Sequence, residues 1–321
     1  MEYVNLGKAG IKVSRICLGC YSLGNDAEWK IELDEARKVV RKAIDVGITF
    51  FDTANSYSTG RSEEILGECL HGYREDAVIA TKVYFPMGHG PNNSGLSRRH
   101  VMQQIKRSLQ RLQTDRVDLY QIHRWDYQTP IEETLKVLDD IVRQEMAHYI
   151  GASSMYSWQF LESLHTSEML GLEKFVSMQN HYNLVYREEE REMIPLCKSR
   201  GIALLAWSPL ARGFLTGKYR RAITPDSSRF KTDEFLAERY FKPEDYDVLE
   251  AAEALAKQKQ VSVTQIAIAW LLQKEVTSAI IGAKRPEHIE EAVKALDLRI
   301  NPDEIRLLEK PYRPHAVLGH K

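Results

Sequence analysis

The chain has 321 residues, 43% hydrophobic and 28% charged, an ordinary globular composition in a length that one barrel domain of ~200–250 residues or more can reach. Lys and Arg number 44 against 45 Asp and Glu, so no basic excess invites nucleic acid or an anionic membrane. No run approaches the ~20 apolar residues of a membrane helix, and "MEYVNLGKAG" lacks the basic and apolar segments of a secretion signal, so a cytoplasmic location is expected.

Taken in chain order, "YVNLGKAGIKVSR" sets Gly and Lys between short β-prone pieces and predicts a hairpin. Eight short apolar runs follow, at 16–18, 48–51, 77–80, 117–122, 149–152, 175–178, 202–206 and 277–281. Most are closed by Gly, Asp, Asn, Ser or His, as strands entering loops are. The stretches between them read as helices. In "LDEARKVVRKAIDVG" the residues Ala36, Val39, Val40, Ala43 and Ile44 recur at helical spacing, with Asp34 as N-cap and Gly47 as terminator. "TPIEETLKVLDDIV" predicts a capping box from Thr129 and Glu132 with Pro130 at the first helical position, and "SVTQIAIAWLLQKE" repeats it with Ser262 and Gln265. "RPEHIEEAVKAL" and "NPDEIRLLEK" read as helices opened by proline, and the tail "PYRPHAVLGHK" as irregular. Strand and helix alternating through a whole chain imply parallel strands with helical crossovers. Eight units favour a closed (β/α)8 TIM barrel over an open doubly wound sheet, as a single domain over residues 1–321. Two polar stretches interrupt the rhythm, "YFPMGHGPNNSG" after the third run and residues 211–245 after the seventh. Loops of that kind usually carry function.

Four cysteines in a chain of this length form no disulfide framework. Cys17 and Cys20 spell C-x-x-C, but an offset of three along a strand sends the thiols to opposite faces. Cys69 and Cys197 are isolated, so no metal site is expected.

In a barrel, chemistry sits at the carboxyl ends of the strands. There the chain places Asp52, Lys82, His123, Ser153 and Ser154, Gln179 and Asn180, then Trp207 and Ser208. Asp52 ends the apolar "ITFF" and needs a counter-charge to be buried. Lys82, from the next strand, can supply one. A phenol titrates near pH 10 and gives up its proton reluctantly. A cation beside Tyr57 is expected to lower that value by roughly 1–3 units. Tyr57 then protonates a carbonyl oxygen while a hydride reaches the carbon, and His123 orients the same oxygen. The hydride needs a cofactor. No Gly-x-Gly-x-x-Gly turn is present, so a nicotinamide would be held by something other than a Rossmann unit.

With these residues in place, the chain closely resembles the aldo-keto reductases. The matching pieces include "GCYSLG", "FFDTANSYSTGRSEEILG", "IATKV", "VDLYQIH", "IGASS", "QNHYNL", "LLAWSPLARGFLTGKY" and "IIGAKRPEHIEEA". The resemblance implies a (β/α)8 barrel binding NADP(H) across its strand ends, ahead of NAD, with a catalytic tetrad of Asp52, Tyr57, Lys82 and His123. It implies that Gly19, Cys20 and Tyr21 line the nicotinamide end together with Asp52, that Ser153, Ser154 and Gln179 bind its carboxamide, and that Trp207 stacks on the ring. Ser208, Leu210, Gly213 and Lys218 match a pyrophosphate loop. Gly282, Lys284, His288 and Glu291 match the segment around the adenosine 2′-phosphate. The chain departs from the family pattern at Ser154, where Asn is usual, at His288 and Ala292, where Gln and Asn are, and at Cys20, which replaces Thr or Met.

The substrate walls are expected from Trp29, Tyr84, Trp125 and Tyr127, besides Tyr57 and His123, and from the "YFPMGHGPNNSG" loop and the 211–245 stretch. Such aromatics suit an apolar or aromatic small-molecule carbonyl, and a sugar-binding site would use them as well. The expected function is NADPH-dependent reduction of an aldehyde or ketone. A cofactor-sensing subunit with little turnover is the alternative, and a metal or carboxylate hydrolase is the weaker third.

Overall fold

Alternate residues of each apolar run point to opposite sides, and this two-residue period builds the molecule. The computed structural model describes residues 1–219, 221, 228–233, 236 and 239–320. Strands β1 (Tyr3–Asn5) and β2 (Lys12–Ser14) pair antiparallel as the predicted hairpin. Eight parallel strands follow: β3 (Ile16–Gly19), β4 (Phe50–Asp52), β5 (Val78–Val83), β6 (Val117–Ile122), β7 (Ala147–Ser153), β8 (Ser177–His181), β9 (Ala203–Trp207) and β10 (Ser278–Gly282). They close in sequence order, β10 pairing with β3, into a (β/α)8 TIM barrel. Each of the eight apolar runs supplies one barrel strand.

The barrel interior is apolar at its lower levels. Cys17, Phe50, Ala80, Leu119 and Leu205 share one cluster there, plugged by Leu6, Ala9 and Val13 of the hairpin segment. The alternate residues Ile16, Leu18, Phe51, Ile79, Tyr120 and Leu204 belong to the larger core that includes the helices. Cys17 and Cys20 accordingly fall in different clusters, and all four cysteines are free thiols.

The surrounding helices are α1 (Leu33–Asp45), α2 (Arg61–Cys69), α3 (Arg98–Leu112), α4 (Ile131–Arg143), α5 (Ser157–Leu170), α6 (Met193–Arg200), α7 (Ser228–Thr232), α8 (Pro243–Lys259), α9 (Val263–Gln273), α10 (Pro286–Lys294) and α11 (Pro302–Glu309). Two start signals act differently from the sequence reading. Glu32, not Asp34, precedes α1, and Asp34 lies in the first turn, where its charge suits the helix dipole. Thr129 forms no capping box, because its hydroxyl donates to Asp126 at 2.7 Å and Pro130 itself occupies the N-cap of α4. The Ser262–Gln265 box at α9 does form, with reciprocal bonds of 3.1 and 3.2 Å. No described helix is long and apolar enough to cross a membrane. Within the 211–245 stretch, residues 220, 222–227, 234, 235, 237 and 238 lie outside the described residues.

Candidate active site

One more step of the two-residue period lifts several strands from the apolar interior to a polar layer at their carboxyl ends. Asp52 stands two residues beyond Phe50, Lys82 two beyond Ala80, and Gln121 two beyond Leu119. In register Asp52 lies beside Ala80, Lys82 beside Gln121, and Gln179 beside Ser153.

Lys82 is fully buried, and Asp52 is 2% exposed. The ammonium donates to Asp52 Oδ2 at 2.5 Å, to the Thr53 carbonyl at 2.8 Å and to Tyr57 Oη at 3.3 Å. The other carboxylate oxygen, Oδ1, accepts from Gln179 Nε2 at 2.8 Å and Gln121 Nε2 at 3.1 Å. The buried charge pair is therefore neutralised and hydrogen-bonded on both sides, the condition under which such a pair is tolerated. Burial lowers the Lys82 pKa, but Asp52 and Tyr57 more than offset it and the net displacement is upward, so Lys82 stays charged.

Tyr57 differs from the expectation. Burial raises the phenol above its ordinary value, with Lys82 opposing and Asp52 reinforcing the rise. Desolvation of the phenolate outweighs the neighbouring cation. The hydroxyl therefore carries its proton throughout the neutral range, as a donor must. His123 meets the Tyr57 ring edge-on with centroids 5.7 Å apart. Burial, Arg124 and Lys82 together hold its imidazole well below the usual histidine value, so it is neutral at pH 7.

Local strain fixes the phenol. Ser58 and Thr59, directly after Tyr57, have φ of 48° and 53°, uncommon for residues with side chains. Ser58 Oγ bonds the Leu23 carbonyl at 3.0 Å and Asp26 at 2.6 Å, tying this turn to the loop after β3. Tyr21 packs its ring edge-on against Tyr57 at 5.0 Å.

A cavity of about 1120 Å³ opens above this layer. Its walls include Gly19, Tyr21, Asp52, Tyr57 and His123, with Lys82 buried beneath. Ser153, Gln179 and Trp207 follow round the rim, then Ser208, Leu210, Gly213 and Lys218. Gly282, Lys284, His288 and Glu291 complete the far end, and Trp29 stands on the substrate side.

Five expected residues do not line it, and one of them, Tyr127, is largely exposed and donates its hydroxyl to the His320 carbonyl at 3.4 Å. Cys20 is buried in the core between barrel and helices, its thiol pKa raised by burial. Ser154, at φ 42°, instead accepts a 3.1 Å bond from Trp207 Nε1 and so orients the indole. Tyr84 packs edge-on against Phe85, whose side chain takes the wall position. Trp125 turns towards Trp158 of α5, ring centres 6.1 Å apart. Gln179 lines the cavity but spends its amide nitrogen on Asp52 and Gln121, leaving its oxygen for a ligand. Phe85 and Arg239 lie in the two polar stretches expected to wall the substrate. Gln121 and Arg124 were missed, and of these Gln121 had a visible signal, since it lies two residues before His123 on the same strand face.

The cleft fits a dinucleotide. Backbone and small residues shape its length. A Cβ on Gly19 would stand 2.7 Å from Ile280, so glycine keeps the wall open. Ser208, Ala211, Arg212 and Gly213 all have positive φ, forming a contorted loop against which Lys218 folds closely. One face of Trp207 is covered by the parallel His181 ring at 4.2 Å, itself stacked on Tyr186. At the far end, Lys284 and Arg285 stand at the N-terminus of α10, a setting suited to phosphate. Among the described residues no three His, Cys, Asp or Glu side chains gather as a metal site would require.

The closed parallel barrel thus carries a buried ammonium–carboxylate pair next to a phenol and an imidazole at the carboxyl ends of its strands. The sequence model of the Aldo/keto reductase family matches residues 15–313, and the chain belongs to that family. It is 39% identical to the versiconal hemiacetal acetate reductase of Aspergillus parasiticus, over 99% of this chain and 98% of the relative. It is 37% identical to the aldo-keto reductase dtxS3 of Metarhizium robertsii, over 100% and 93%, and 37% identical to the aldo-keto reductase AMT2 of Alternaria alternata, over 99% and 93%. The protein is an oxidoreductase that uses a nicotinamide cofactor on small-molecule carbonyl compounds.

Proposed function

We propose that the chain reduces an aldehyde or ketone to the alcohol with NADPH, and that Tyr57 is the proton donor. The observation that carries this reading is the Lys82 ammonium, which reaches both Asp52 and Tyr57 from beneath the cavity floor. When bound along the cleft, a reduced nicotinamide would supply the hydride. The carbonyl π electrons move to oxygen, which takes the Tyr57 proton as the phenolic O–H bond breaks. Lys82 stabilises the phenolate left behind, and Asp52 keeps Lys82 charged. His123, neutral, donates a hydrogen bond to the same oxygen and sets its direction. The phosphate end is read as Lys284 and Arg285 at α10, which favours NADP(H) over NAD. The same reading takes residues 1–321 as one domain.

The test is oxidation of NADPH, followed by absorbance, with a panel of aldehydes and ketones. Wild type turns over, and Tyr57→Phe loses about 10²–10⁴-fold in kcat, the usual worth of a positioned proton donor. Lys284→Ala with Arg285→Ala erodes the preference for NADPH over NADH. Tight NADPH binding with turnover of no carbonyl overturns the proposal, and so does full activity in Tyr57→Phe.

A further inference from the structure

Arginine is crowded along one part of the cleft. Arg124, Arg212 and Arg239 all line it. Their charges meet at His181, whose pKa burial, Arg239, Arg212, His315 and Arg124 together hold far down. Arg212 has a carboxylate partner in Asp233. Arg124 has none among the described residues.

Arg124 directly follows His123 at the end of β6. One of its donors, Nη1, meets the His123 carbonyl at 2.5 Å, and its guanidinium carbon lies 5.5 Å from the Phe85 ring centre. Phe85 in turn meets the His123 ring at 4.9 Å. The guanidinium thus belongs to one cluster with Phe85 and His123 on the cavity wall. Burial, only partly countered by Tyr57, pushes its pKa down to about 10, with Arg239 adding to the fall. A guanidinium offers five N–H donors in a planar fork, and a half-buried one without an acid invites an anion from outside.

That anion is not the cofactor's adenosine phosphate. In the ring of eight strands β6 stands four places from β10, directly across the barrel from Lys284 and Arg285. Resting on the reductase reading, we propose that Arg124 is a specificity residue that binds an anionic group, a carboxylate being the planar match, on the carbonyl substrate.

The test compares 4-carboxybenzaldehyde with its neutral analogue of similar size, methyl 4-formylbenzoate, at saturating NADPH. In wild type the acid has the higher kcat/KM. In Arg124→Met the acid-to-ester ratio of kcat/KM falls at least about tenfold, carried mainly by KM, and Arg124→Lys restores part of it. Benzoate, competing with either aldehyde in wild type, inhibits more strongly than methyl benzoate, a readout that needs no variant. An unchanged ratio in Arg124→Met, or equal inhibition by the two benzoates, overturns the proposal while ester reduction by wild type leaves the reductase reading standing. Reduction of neither aldehyde by wild type overturns the Arg124 proposal, while the wider carbonyl panel decides the reductase reading.

Discussion

At the scale of single residues, the decisive balance is between burial and charge around Lys82. A fully buried ammonium keeps its proton because Asp52, 2.5 Å away, and Tyr57 offset its burial, and Asp52 is itself held by two amides. Removing one member strands the other. Asp52→Asn is expected to cost about 3–5 kcal/mol in urea unfolding, the range for breaking a buried pair. Asp52→Asn combined with Lys82→Met should recover much of that loss, since no uncompensated charge is left. A double variant as unstable as the sum of the two singles would show that the pair is not coupled. The phenol follows the same logic with another outcome. It is one step further from the carboxylate, so desolvation dominates and the proton stays.

At the scale of elements, the turn after β4 shows how a backbone positions a side chain. Gly24 has φ 137°, and a Cβ there would fall 2.0 Å from Ser58 Oγ. Gly24→Ala should therefore push the Ser58 turn and displace Tyr57, lowering kcat by about tenfold or more, because small misplacements of a reacting group are costly. Gly10→Ala, where nothing lies within 4 Å of the added atom, is the control. Equal kcat in the two variants would remove the turn from the account. This element also marks where sequence reasoning succeeds and stops. All eight strands were legible because apolar runs ended by polar residues are what a buried parallel strand needs, and the last polar residue of each run pointed to the rim. Gln121 was passed over because only strand ends were read, although the same period places it in the Asp52 layer. Ser154, Cys20, Tyr84, Trp125 and Tyr127 turned elsewhere because periodicity says nothing about side-chain direction once the chain leaves the strand. Thr129 had the right pattern for a cap, and Asp126 won its hydroxyl.

At the scale of the whole molecule, two buried imidazoles contribute to the response to acid. Burial is the first cause of the low pKa at both His123 and His181, so both are neutral in the fold and protonate readily only when unfolded. Their folded values lie below the unfolded value of about 6.5, so the stability they preserve is intact above that pH and is lost as pH falls towards the folded values. The urea midpoint should therefore drop between pH 7 and pH 5, by less in a His181→Gln protein. A midpoint that is flat over this window would contradict the neutral assignment. The closed ring has a consequence of another kind. Each barrel strand has a neighbour on both sides, and the other strands among the described residues, β1 and β2, are three residues long. A foreign chain looking for unpaired amide and carbonyl groups finds no shelf wide enough to join. Fibril growth by strand addition is thus denied to the folded protein, and clumping on heating must begin with molecules whose ring has already come open.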